Sequence, residues 1–218
     1  CCAVRGAGVP VISSPAIGPG GVALNERTSD AGHQGMSTRR EEIRKVLAHA
    51  ERLFSPQDVD VAVDRMAAEM NAALAEKDPL LLCVMTGGVV PTGLLLPRLR
   101  FPLELDYLHV SRYRGQTSGG EIEWLRRPHC LLSGRVVVVV DDVLDEGLTL
   151  SAILEACRRD GAAEALIAVL IAKRLQRCAS MPNPNFVGLE TDERYLFGYG
   201  MDYKNYLRNA PGIFALSA

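Results

Sequence analysis

VVVVVDDVLDEGLTL, residues 136 to 150, is an unbroken apolar run that stops at two aspartates and continues through a third acid, a glycine and a threonine. An apolar run without polar alternation suits a strand buried on both faces, so the acids fall at its carboxyl end. In an open parallel sheet that is where ligands bind, and the start of the next helix offers free backbone N–H groups at a positive dipole end. Gly147 allows close backbone approach and Thr149 supplies a hydroxyl, together a cradle for a monophosphate. Asp141 and Asp142 suit ribose hydroxyls or a divalent cation. The plainer alternative is that Asp141, Asp142 and Asp145 only cap the helix. One cap accounts for one acid, so three acids within five residues favour a binding role.

Strand and helix patterns alternate on both sides of this stretch. Upstream, PLLLCVM (79–85) reads as a buried strand, TGGVVPTGLLLPRL (86–99) as a glycine turn entering a helix, and FPLELDYLHVSRY (101–113) as a second strand. The polar, glycine-rich RGQTSGGEIEWLRR (114–127) predicts a loop or mobile hairpin. Downstream come a helix from Thr149 closed by Gly161, a strand EALIAVLIA (164–172), and short strands in NFVGLE (185–190) and GIFALS (212–217). Earlier still, SPQDVDVAVDRMAAEM opens with Ser55 as N-cap and Pro56 at the first helical position, and Val59, Val63, Met66, Met70 and Ala73 repeat at helical spacing. STRREEIRKVLAHAERLF (37–54) predicts another helix, with Thr38 and Glu41 at capping-box spacing. The fold class is α/β: a mainly parallel sheet with helices on both faces. Residues 1–35, rich in Gly, Pro and Ser, predict a disordered leader upstream of a start at Met36, and 36–218 a single domain.

Composition excludes several function classes. The net charge is −2 over 218 residues, which provides no basic field for nucleic acid. No apolar run reaches the roughly 18–20 residues of a bilayer span, so no membrane association is expected. The six cysteines form no C-x-x-C pair and predict reduced thiols in a cytoplasmic protein. The four histidines have no zinc-ligand spacing. A P-loop needs G-K-[ST] and a dinucleotide fold needs G-x-G-x-x-G; neither is present. The acid patterns of a receiver domain or a haloacid-type phosphatase are missing too.

The opening stretch resembles the phosphoribosyl pyrophosphate signature of type I phosphoribosyltransferases. Three further stretches resemble the hypoxanthine-guanine members: MTGGVVPTGLLL (85–96), IAKRL (171–175) and YLFGYGMDYKNYLRN (195–209). The resemblance implies the type I fold, with a small hood near the base site. It implies phosphoribosyl pyrophosphate and a 6-oxopurine base as substrates, Mg2+ as cofactor, purine salvage as the setting, and a homodimer or homotetramer. Carried onto this chain, Asp145 handles the purine N7 proton. Asp141 and Asp142 hold the ribose hydroxyls, directly or through magnesium, and Asp202 is the second magnesium carboxylate. Glu146, Gly147, Leu148 and Thr149 wrap the 5′-phosphate. Lys173 donates to the 6-oxo group, Tyr195 stacks on the base, and the backbone of Leu196 reads its edge. Thr86, Gly87, Gly88 and Arg208 bind pyrophosphate, while Arg112 and Tyr113 belong to a loop that closes over the reacting centre.

This chain departs from the pattern in three places. Glu146 stands where Thr or Ser is usual, Thr86 where many members have Lys, and ETDER (190–194) replaces a proline-containing turn. Two alternatives therefore stay open beside the hypoxanthine-guanine reading. One is a xanthine-preferring enzyme; the other is a nucleotide-sensing protein of the same fold with little turnover.

Overall fold

The computed structural model describes residues 30–112, 122–174 and 182–217. Two units are distinguished, Cys1–Arg39 and Arg40–Ala218. The described part of the first is the opening of helix α1 (Asp30–His49). That helix starts before the expected leader boundary at residue 35, so Thr38 and Glu41 lie within it and not at its cap.

The second unit is built on a six-stranded sheet. Its strands are β2 (Leu80–Met85), β3 (Glu104–Arg112), β4 (Ile122–Arg126), β5 (Val136–Leu144), β6 (Glu164–Lys173) and β7 (Phe186–Thr191), in the order β4-β3-β2-β5-β6-β7. All neighbours are parallel except the edge pair β3–β4, the hairpin that the glycine-rich stretch foreshadowed. The valine run lies at the centre, between β2 and β6. Val138 and Val140 pack into the cluster formed with α2 (Pro56–Leu74) and α3 (Val89–Leu95). Val137 and Val139 pack on the other face against α4 (Leu148–Arg159). Both faces are covered, which is why the run shows no polar alternation. Each valine withdrawn in this way stabilises the fold by roughly 1.5–3 kcal/mol.

Helix α2 follows its sequence signals closely. Ser55 accepts from the Asp58 N–H and the Asp58 carboxylate accepts from the Ser55 N–H, a reciprocal capping box ahead of Pro56. Val59, Val63, Met66 and Met70 are fully buried, but Ala73 is exposed and Leu74 takes its place in the core. Ser55→Ala should cost about 1 kcal/mol, read as a fall of roughly 2–4 °C in melting temperature.

A second, three-stranded antiparallel sheet has the order β1-β9-β8, from β1 (Glu51–Phe54), β8 (Leu196–Phe197) and β9 (Ile213–Ala215). This is the expected hood. Its β1 occupies residues that the helical pattern claimed for the end of the first helix; pairing with β9 and the close stacking of Phe197 on Phe214, 5.5 Å between centroids, override that local preference. Among the described residues no helix is long and apolar enough to cross a membrane.

Candidate active site

β5 runs four residues beyond the valines, so Asp141 and Asp142 belong to the strand itself instead of to the turn after it. Both are buried, and the Asp142 N–H donates to Asp141 Oδ1 at 2.9 Å. Burial pushes both carboxyls above the usual carboxylate range; for Asp141 the charge of Asp142 adds to that effect, and Arg208 opposes it at both. Capping is not their role. The N-cap of α4 is Gly147, in the left-handed region at φ +75°, with no side-chain cap bond.

Between the acids and α4 lies a cleft of about 370 Å³, lined by Asp141, Asp142, Val143, Leu144, Asp145, Gly147, Thr149 and Leu150. Gly147 is buried at its floor, whereas Glu146 and Leu148 are exposed. A glycine is required at 147 on two counts: the positive φ, and a Pro182 carbon that would sit 2.8 Å from an added Cβ. The first N–H groups of α4 lie at this end, where their partial positive charge suits an anion.

Asp145 follows β5, and Lys173 ends the adjacent parallel strand β6. Their side chains meet at 2.9 Å, with Lys173 only 11% exposed and Asp145 42%. The pairing of strands brings together two residues 28 positions apart in sequence.

The hood contributes the other side. Tyr195 precedes β8, is half exposed, donates its hydroxyl to the Asp202 carbonyl at 3.0 Å, and meets Tyr203 edge to face at 6.0 Å. Leu196 is buried. Asp202 is held by Arg208 at 2.7 Å and by the Asn205 N–H at 2.7 Å. Arg208 also donates to the Gly200 carbonyl at 2.5 Å. After β2, Thr86 is exposed and Gly87 lies against Asp142, whose Oδ2 would be 2.1 Å from an added Cβ.

Thus the 86–88 turn, Asp142 and the loop that carries Arg208 adjoin one another, and Asp145, which lines the cleft, carries Lys173 as its ion-pair partner. The three carboxylates assigned to magnesium do not gather: among the described residues no group of three or more His, Cys, Asp or Glu side chains is placed to hold a metal ion. Asp202 is taken up by Arg208, leaving the Asp141–Asp142 pair. Arg112 ends β3, while Tyr113 lies outside the described residues. Two features escaped sequence reasoning. One is Tyr203, which buttresses Tyr195; the other is Gly200, whose φ of +107° the G-Y-G spacing at 198–200 could have signalled.

Residues 49–203 match the phosphoribosyl transferase domain model. The chain belongs to the phosphoribosyltransferase family. Its relatives narrow the kinship. It is 32% identical to a hypoxanthine-guanine-xanthine phosphoribosyltransferase of Tritrichomonas foetus, over 74% of this chain and 88% of that protein. To a hypoxanthine-guanine phosphoribosyltransferase of Bacillus subtilis it is 31% identical, over 74% and 89%. A crystal structure of a hypoxanthine phosphoribosyltransferase from Staphylococcus aureus superposes with a TM-score of 0.72 at 25% identity, covering 77% of this chain and 91% of that one.

Proposed function

We propose that this protein is a purine-salvage phosphoribosyltransferase that converts hypoxanthine or guanine plus phosphoribosyl pyrophosphate to inosine or guanosine monophosphate plus pyrophosphate. The observation that carries the reading is the Lys173–Asp145 pair, 2.9 Å apart beside an anion cradle. A lysine aimed at the base favours a 6-oxo acceptor. It disfavours the 6-amino donor of adenine, because facing donors would leave both unpaired in a buried site. Asp145 handles the N7 proton as general base or acid.

The remaining residues divide the substrate between them. Tyr195, backed by Tyr203, stacks on the purine, and the backbone of Leu196 reads its edge. Gly147, Leu148 and Thr149 take the 5′-phosphate through the start of α4. Glu146 is exposed, and its part in the cradle is its backbone N–H. Thr86, Gly87, Gly88 and Arg208 hold pyrophosphate as it leaves C1 of the ribose, and Arg208 stabilises the charge that develops on it.

The acid pair fits magnesium. That ion takes one or two carboxylates and completes its shell with phosphate oxygens and water, and two adjacent buried carboxyls offer a hard oxygen donor set of this kind. Asp141 and Asp142 would hold it, and the family resemblance adds Asp202 as a second carboxylate once Arg208 releases it to take the pyrophosphate. What bound magnesium supplies here is charge neutralisation of the pyrophosphate. The family resemblance extends the proposal to a cytoplasmic homodimer or homotetramer.

A broader base range is favoured by one observation: the Tritrichomonas relative carries xanthine in its name. The test for both readings is nucleotide formation from phosphoribosyl pyrophosphate and magnesium with hypoxanthine, guanine, xanthine and adenine offered separately. Turnover of hypoxanthine or guanine with little from adenine is the expected result, and a xanthine rate equal to theirs would establish the broader enzyme. Folded protein that turns over none of the four would replace the enzyme with a nucleotide-binding protein of the same fold.

A further inference from the structure

The family motifs account for Gly87 and Arg208 separately. The structure joins them through a residue that neither motif assigns. Gly200 has φ +107°, and a Cβ built on it would lie 2.1 Å from the Gly87 carbonyl oxygen and 3.5 Å from Asp142 Cβ. Gly87 is in turn pressed against the Asp142 carboxylate. The Gly200 N–H donates to the Arg208 carbonyl at 3.0 Å, and its own carbonyl accepts from Arg208 Nη1 at 2.5 Å. One backbone position therefore touches the 86–88 turn, lies beside Asp142 and fixes the arginine at both ends.

We propose that Gly200 is a positioning residue that sets the 86–88 turn and Arg208 at one spacing, so that both meet the pyrophosphate of phosphoribosyl pyrophosphate. The proposal rests on the reading of those two elements as the pyrophosphate site. An ordinary contact needs at least 3.4 Å. A methyl group at 200 would therefore part the two main chains by roughly 1 Å, a displacement that costs up to about a hundredfold where groups must converge on one ligand.

The chain contains a matched control. Gly198 also has positive φ, +99°, and its added Cβ would also lie 2.1 Å from a backbone carbonyl oxygen, but that oxygen belongs to Gly212 in the hood. Gly200→Ala and Gly198→Ala thus impose similar backbone strain, one against Gly87 of the pyrophosphate turn and one against Gly212.

The experiment measures phosphoribosyl pyrophosphate binding by calorimetry with magnesium present, together with KM for each substrate and the melting temperature, in the wild type and both variants. Gly200→Ala should weaken phosphoribosyl pyrophosphate by about tenfold or more while the KM for the base changes little. Gly198→Ala should lose comparable thermal stability and keep phosphoribosyl pyrophosphate binding within about twofold. Equal binding in the two variants overturns the proposal, as does a loss for base and phosphoribosyl pyrophosphate alike.

If Gly200→Ala does not fold, Met201→Ala takes its place. It removes the buried side chain that anchors the position next to Gly200 and adds nothing against Gly87. Weaker phosphoribosyl pyrophosphate binding, restored in Met201→Leu, supports the role, and unchanged binding in Met201→Ala removes it. Calorimetry needs no turnover, so a wild type that binds phosphoribosyl pyrophosphate without using any base would count against the enzymatic reading alone.

Discussion

Asp145→Asn should lower kcat by about 10²–10⁴-fold, the range that a positioned proton-transfer group contributes. Phosphoribosyl pyrophosphate affinity should stay within a few-fold of the wild type. The carboxamide keeps the shape of the side chain and can still accept from Lys173 through its oxygen, so the 2.9 Å contact has a neutral counterpart. What it loses is the capacity to hold and release a proton at N7. The groups that hold phosphoribosyl pyrophosphate elsewhere in the cleft are untouched, because the phosphate cradle is backbone N–H and the ribose acids lie on β5. Steady-state kinetics with hypoxanthine, paired with calorimetric binding of phosphoribosyl pyrophosphate, separates the two effects. Turnover within a few-fold of wild type would remove Asp145 from its role. A parallel loss of binding would mean that the charge of Asp145 organises the cleft instead of serving the reaction.

Asp141→Asn should make the ligand-free protein more stable at neutral pH and much weaker in binding phosphoribosyl pyrophosphate. Burial first, and the neighbouring Asp142 charge second, hold the Asp141 carboxyl well above its ordinary value of 3.8. An acid whose folded-state pKa is raised binds its proton more tightly in the folded chain than in the unfolded one. Its destabilising effect is therefore absent below 3.8 and grows as pH rises through the window between that value and the raised one. Removing the ionisable group should flatten this decline and add about 1–3 kcal/mol at pH 7, the scale of the desolvation penalty of a buried polar group. Urea unfolding between pH 4 and 8, with and without the substitution, measures the difference. A variant less stable than the wild type across that range would show Asp141 to be satisfied by its protein surroundings and not held in readiness for a ligand. The expected exchange of stability for binding is the usual signature of a site whose charged groups are completed only by substrate.

These two acids also illustrate why the site is polar at the end of an apolar strand. Along β5 the valines alternate between the α2–α3 layer and the α4 layer, and the strand end from Asp141 to Asp145 lines the cleft. The same strand that builds the core thus delivers its last residues to the cleft. Lys173 arrives by the same route on β6.

Much of this was legible in sequence because the signals are local or periodic. The valine run, the capping box at Ser55, the glycine at 147 and the ordered succession of four motifs determined the α/β class, the central strand and the family, since each depends on residues a few positions apart. What depended on distant partners was not legible. The residues 51–54 read as helix until β9 supplied a strand to pair with, and the strand read as ending at the valines, with the two aspartates just before the turn, until pairing with β6 carried β5 on to Leu144. The separation of Asp202 from the acid pair, the meeting of Lys173 with Asp145, and the contact of Gly200 with Gly87 are products of chain packing. Sequence determines which groups are available and the local geometry of each. Only the tertiary structure decides which of them share a few ångströms of space, because that distance is set by strand register and by how closely two backbones can approach.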